Sequence, residues 1–322
     1  MELSDILRNG ILSPVVLSFV LGIVAHLVRS DLRFPDQIYS AMSIYLLFAI
    51  GLKGGAALAT TSLAQVAGAM AAGVALGIAI PLWSFAILRG PGRFDVVNAA
   101  AIAAHYGSVS AVTFIAAVSY VQAIGSPAEG FMPAVLAAME VPAIVVALVL
   151  ARAGGTGQGD WRRAVPEVLA GKSIVLLVGG LAIGFLAGPA GVRAVAPFFV
   201  DPFQGVLCLF LLDMGMVAAR RMADFRQVGR FLVAFAIAMP VLHGLAGVWL
   251  GHAVGLSTGG ATVLGVLAAS ASYIAAPAAV RVALPEANPG FYLTASLAIT
   301  FPFNLIVGLP LYAAFARHLA GS

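Results

Sequence analysis

Apolar residues run along this chain in blocks of roughly 20 to 30 positions with only short polar punctuation between them, and each block is long enough to cross the hydrocarbon core of a bilayer. The blocks fall near residues 11–28, 36–58, 62–88, 94–123, 127–151, 173–190, 200–219, 229–252, 258–283 and 291–316. This predicts an all-α integral membrane protein of about ten transmembrane helices. The first block follows Glu2, Asp5 and Arg8 and precedes Arg29 without a small-residue cleavage pattern, so it reads as a retained helix rather than a signal peptide. The one sizeable interruption, residues 153–172, carries the run GGTGQGDWRR and reads as a loop on the cytoplasmic side. It joins a first unit, residues 1–152, to a second, residues 173–322, with five crossings expected in each.

The two units resemble each other. EGF at Glu129 matches PGF at Pro289, and MEVPAIVV from Met139 matches ITFPFNLIV from Ile299 through Pro142 and Pro302. Around Phe48, LLFAIGL faces LFLLDMG around Phe210. The order of the matches holds over the whole unit, and an odd number of crossings per unit turns the second copy upside down. Inverted repeats of this kind are a signature of secondary transporters.

Composition sharpens the picture. Hydrophobic residues make up 61% of the 322 positions and charged residues 9%, against about a quarter charged in a soluble domain. The net charge of +4 does not point to nucleic acid, because the basic residues sit in short clusters between apolar blocks and encode topology instead. Of the 17 Lys and Arg, thirteen lie in alternate loops and four on the other side. That places both termini outside, in the periplasm of a bacterial inner-membrane protein. The single cysteine, Cys208, lies in an apolar block and forms no intrachain disulfide.

Two blocks carry polar interruptions at mid-membrane depth, at equivalent places in the two units: AHYGSVS, residues 104–110, and SASYIAAP, residues 270–277. Irregular backbone at that depth is tolerated only where it is buried in protein or lines a cavity. Gly107 is expected to free the backbone of the first break, and Pro277 to break the helix before it. The half-helices beyond the breaks would aim their N-termini at one point, each presenting about half a positive charge and unpaired amides. Together they match one monovalent anion. Ser108, Ser110, Ser270, Ser272 and Tyr273 supply hydroxyls, and Val109, Ile274 and Ala275 complete the candidate substrate site. Gly107, Ser108, Thr113, Asn304 and Glu140 are the candidate sodium site, offering oxygen ligands beside broken helices. Neither an organic cofactor nor a metal other than sodium is expected. Asp95 and Asp201 read as helix N-caps, and Asp213 as a partner of Arg220 or Arg221. His105, beside the first break, reads either as a proton carrier or as a hydrogen-bonded structural histidine.

These residues also carry a family resemblance. The stretch 270–312, with VLCLFLLDMGMVAARR (206–221), GSVSAVTF (107–114) and MEVPAIV (139–145), resembles the sodium-dependent bicarbonate transporters of cyanobacterial carbon-concentrating systems, over nearly the whole chain. The resemblance implies a homotrimer in which spans 1, 2, 6 and 7 form a scaffold. Spans 3–5 and 8–10 would form a core that carries bicarbonate and sodium between crossing broken helices, by an elevator-type symport. It departs from the family pattern in having Glu140 where Asp is expected. The loop after Arg152 is short, which argues against the PII-like regulatory protein that partners longer-looped members. The rival readings are a sodium- or proton-coupled carrier of another small anion, carboxylate or sulfate, and, more remotely, an intramembrane hydrolase built on Ser108 and His105 or a non-transporting sensor.

Overall fold

The computed structural model describes residues 12–154, 161–222 and 225–321, and within them it is helical with no strand. Glu2, Asp5, Arg8 and most of the glycine-rich run lie outside the described residues. The helices are α1 (Pro14–Leu27), α2 (Asp36–Leu58), α3 (Leu63–Arg89), α4 (Val96–Gly107), α5 (Ala111–Ala123), α6 (Met132–Ala153), α7 (Trp161–Leu169) and α8 (Lys172–Ala194). They continue with α9 (Ala196–Phe199), α10 (Phe203–Met222), α11 (Phe225–Ala253), α12 (Thr258–Ala269), α13 (Ala275–Ala283) and a final helix, α14 (Pro289–Gly321). Eight of these stretches are long and apolar enough to cross a membrane, counting Val96–Ala123 as one, while α1 and α12 are shorter apolar helices. The protein is a multi-pass membrane protein.

Local chemistry sets the helix ends. Ser13 caps α1 with Pro14 at its first position, Asp95 accepts from the Asn98 amide at 2.8 Å, and Ser257 caps α12 through the Gly260 amide at 3.0 Å. Asp201, expected as a cap, makes no such bond; α10 begins two residues later, after Pro202. The segment expected as a loop contains α7, which packs on α6 and α13 and buries Val168. The glycine-rich run before it in the sequence obscured a short helix.

The heaviest helix contacts fall into two sets, joined by lighter ones of α6 to α2 and α8 and of α10 to α14. In one, α2 lies on α8, α1 on α10, and α10 on α2; in the other, α3 packs on α4 and α6, and α11 on α12 and α14. Lipid tails are as apolar as leucine, so association rests on close approach, and glycine allows it here. A Cβ on Gly55 would lie 2.1 Å from the Leu181 carbonyl oxygen, and one on Gly184 2.1 Å from that of Leu52. Gly22 and Gly215 serve the α1–α10 crossing in the same way.

Helix distortions cluster in α14, where π-helical turns at Thr294–Thr300 and Asn304–Gly308 flank Pro302. Such turns occur often at functional sites. Pro240, inside α11, has no N–H for the Ala236 carbonyl four residues earlier. The Thr300 hydroxyl donates to that oxygen at 2.7 Å and accepts from the Tyr106 hydroxyl at 2.7 Å. This chain of bonds ties α4 and α14 to α11.

Candidate site at the crossing of two broken helices

Both expected breaks are present. The first separates α4 from α5 at Ser108–Ser110, and the second separates α12 from α13 at Ser270–Ile274, with extended backbone at Ser108 and Ser270. The breaks touch directly: the Ser110 amide donates to Ser270 Oγ at 3.0 Å, and the Ser272 amide donates to the His105 carbonyl at 2.7 Å.

The physical reasons for the breaks differ from those expected. Gly107 keeps a negative φ; its role is close packing, since a Cβ would meet Pro81 Cδ at 2.6 Å and the Ala143 methyl at 2.9 Å. Pro277 does not end α12. It stands in the first turn of α13, where a missing amide proton leaves no intrahelical bond unmade.

The hydroxyls fall into two kinds. Ser108 donates to the Glu140 carbonyl at 3.4 Å and Ser270 to the Leu267 carbonyl at 2.8 Å, so their protons are spent on freed backbone. Ser110 accepts from the Thr113 amide and Ser272 from the Ala276 amide, each 3.2 Å away, and each keeps its own proton to donate. The Tyr273 hydroxyl is buried close to Ser110. Among the described residues, the amides of Ala111, Val112, Ile274 and Ala275 make no hydrogen bond. The N-termini of α5 and α13 therefore each keep unsatisfied donors, and Val109, in the first break, is buried.

Space around these donors is distributed unevenly. Ala111, Val112 and Ile274 line a gap of about 10 Å³ closed by Ser43, Leu46, Leu47 and Phe210 of α2 and α10, barely the volume one water requires. A cavity of about 580 Å³ reaches Tyr273 and Leu297 from the Asp36 end of α2, with Asp213, Arg220 and Arg221 on its wall. Buried Asp213 feels the charge of Arg220, which accords with the expected pairing. A second cavity, of about 270 Å³, opens toward the other end of α2 at Lys53, Gln122, Glu129 and Gln204. Ser43 escaped the sequence reading because a lone serine in an apolar block carries no distinguishing signal.

The cation candidates lie around the crossing in two places. Gly107, Ser108 and Thr113 belong to the first break, with buried Glu140 beside it through its carbonyl. Asn304 belongs to the second break: its Nδ2 donates to the Ala269 carbonyl at 2.8 Å, and its Oδ1 accepts from the Tyr312 hydroxyl at 3.2 Å. His105 holds the Ala101 carbonyl at 2.7 Å through Nδ1 and stacks on Tyr292, leaving Nε2 unpartnered. Ser108 and His105 do not bond each other, so no nucleophile–base pair is formed.

Comparison with curated proteins returns no match. The sequence model of one family, however, matches residues 14–317, nearly the whole chain. Together with the helical membrane architecture and the crossing breaks, this match shows that the chain belongs to the Na+-dependent bicarbonate transporter superfamily.

Proposed function

We propose that this protein is a sodium–bicarbonate symporter of ten crossings, arranged as two inverted five-helix repeats (residues 1–152 and 173–322), that works by an elevator mechanism. The observation that carries the reading is the pair of half-helix N-termini with free amides at Ala111, Val112, Ile274 and Ala275. They supply about one positive charge and several donors without a buried Arg or Lys, which suits a small planar oxyanion. Ser110, Ser272 and Tyr273 are its hydroxyl donors in this reading. Ser108 and Ser270 hold the backbone that positions them.

Reciprocal contacts support the inverted repeat. The start of α4 holds the approach to α14, through Asn98 Oδ1 and the Asn288 amide at 2.8 Å; the start of α12 holds the approach to α6, through the Ser257 amide and Glu129 Oε1 at 2.6 Å. Cavities at opposite ends of α2, separated by the narrow gap at the breaks, suit alternating access. The group α1, α2, α8 and α10 acts as scaffold and the rest as the carrier, in a homotrimer of the bacterial inner membrane with both termini periplasmic. A tenfold sodium gradient supplies about 1.4 kcal/mol per ion.

Labelled bicarbonate uptake into proteoliposomes, with and without an inward sodium gradient, tests the reading. Sodium-dependent accumulation is the expected result. Uptake indifferent to sodium, or competed fully by a carboxylate or sulfate, would replace the coupling ion or the substrate.

A further inference from the structure

A cavity of about 480 Å³ lies outside the route just described, at the C-terminal end of α1, with Arg29, Ser30, Arg33, Phe34 and Arg220 on its wall. Three of its walls are arginine and none is acidic. Among the described residues, Arg29 and Arg33 form no ion pair, while Arg220 interacts with Asp213, with which it lines the neighbouring cavity. Arginines that serve only as topology signals have no reason to converge on one concavity, two of them without an acidic partner.

The backbone adds a second observation. The turn that ends α1, closed by the Ser30 amide on the Ala25 carbonyl at 2.9 Å, puts Arg29 in the left-handed region at φ 58°. Glycine occupies such a position without steric cost; here the position carries a guanidinium aimed at the cavity. Planar guanidinium forks match phosphate oxygens bidentately.

We propose that this cavity binds a phosphate group, held by Arg29, Arg33 and Arg220. Two sources share that chemistry, an anionic lipid headgroup and a soluble phosphate. Exposed Leu17, Leu21, Val24 and Val28 form one stripe along α1 that ends at the cavity, a track for an acyl chain that favours the lipid. The occupant borders the 580 Å³ cavity, because Phe34 and Arg220 line both.

The test uses the full chain in nanodiscs of zwitterionic lipid and measures binding alone, so its result is independent of any transport activity. One arm titrates spin-labelled phosphatidylglycerol and reads the immobilised fraction; the other measures filtration binding of radiolabelled inorganic phosphate. Saturable binding of either probe is expected, weakened at least about tenfold by Arg33→Gln and further by Arg29→Gln with Arg33→Gln. Arg29→Lys keeps the charge but loses the fork and should fall between. Arg193→Gln, outside the cavity, should leave the affinity unchanged. Saturation by lipid alone assigns the headgroup as the source, and saturation by phosphate assigns the solute. No saturable binding of either probe, or equal affinity across all variants, overturns the proposal.

Discussion

Serines 108, 110, 270 and 272 are chemically alike in the chain and different in the fold, and substitution should separate them. Ser110→Ala and Ser272→Ala remove both a cap and a free donor. Each is expected to raise the half-saturating bicarbonate concentration about tenfold, on the scale of one hydrogen bond to a charged group, as read from uptake kinetics. Ser270→Ala strands the buried Ser110 amide and should lower thermal stability as well, by about 1–3 kcal/mol. Asn304→Leu frees the Ala269 carbonyl; it should lower the melting temperature and raise the sodium concentration that uptake requires. Asp95, at the rim, illustrates pH linkage. Partial burial works to raise its carboxyl pKa, but hydrogen bonds from the Asn98 amide and side chain hold it below the usual range. Its contribution is therefore present above about pH 4, the unfolded value, and is lost as pH falls through the lower folded value. Asp95→Ala should cost about 1 kcal/mol at neutral pH and little in strong acid, as read from thermal melts across pH.

Among the elements, the α2–α8 crossing is the most demanding contact. Gly55→Ala must push the helices apart against the Leu181 carbonyl and should sharply reduce the yield of folded protein. Gly179→Ala, in the partner helix α8 but with nothing within 4 Å of its new methyl, should be silent. Size-exclusion profiles of the two variants check the contrast. Much of this level was legible beforehand: the second block, residues 36–58, is α2 to the residue, and both breaks fall inside the stretches marked by their serines. Hydrophobic periodicity and polar interruption suffice for that, because the bilayer allows few alternatives to a helix. The chain did not reveal what holds the breaks open. Gly107 and Pro277 looked like the agents of disruption, yet one is a packing contact and the other an ordinary first-turn proline. The π-helical turns of α14 were hidden as well, since they depend on Pro302 and on what packs around it.

At the scale of the whole molecule, the elevator reading requires the two helix groups to slide past each other. The Gln204 side chain of α10 donates to the Ser119 hydroxyl of α5 at 3.1 Å, across their boundary. A chain with Cys208→Ala, Ser119→Cys and Gln204→Cys should lose sodium-dependent uptake when cross-linked by a short bifunctional thiol reagent and keep it untreated. Uptake that survives full cross-linking would rule out relative movement at this boundary. The sequence by itself determined the helical membrane class, the approximate limits of the spans, the positions of both breaks and the family, because each follows from composition, period or local motif. Only the tertiary structure decided which donors remain free, that Ser43 faces the breaks, and that three arginines from two separate segments converge on one cavity. Those facts depend on residues far apart in the chain meeting, and no local pattern encodes which carbonyl will take a serine's proton.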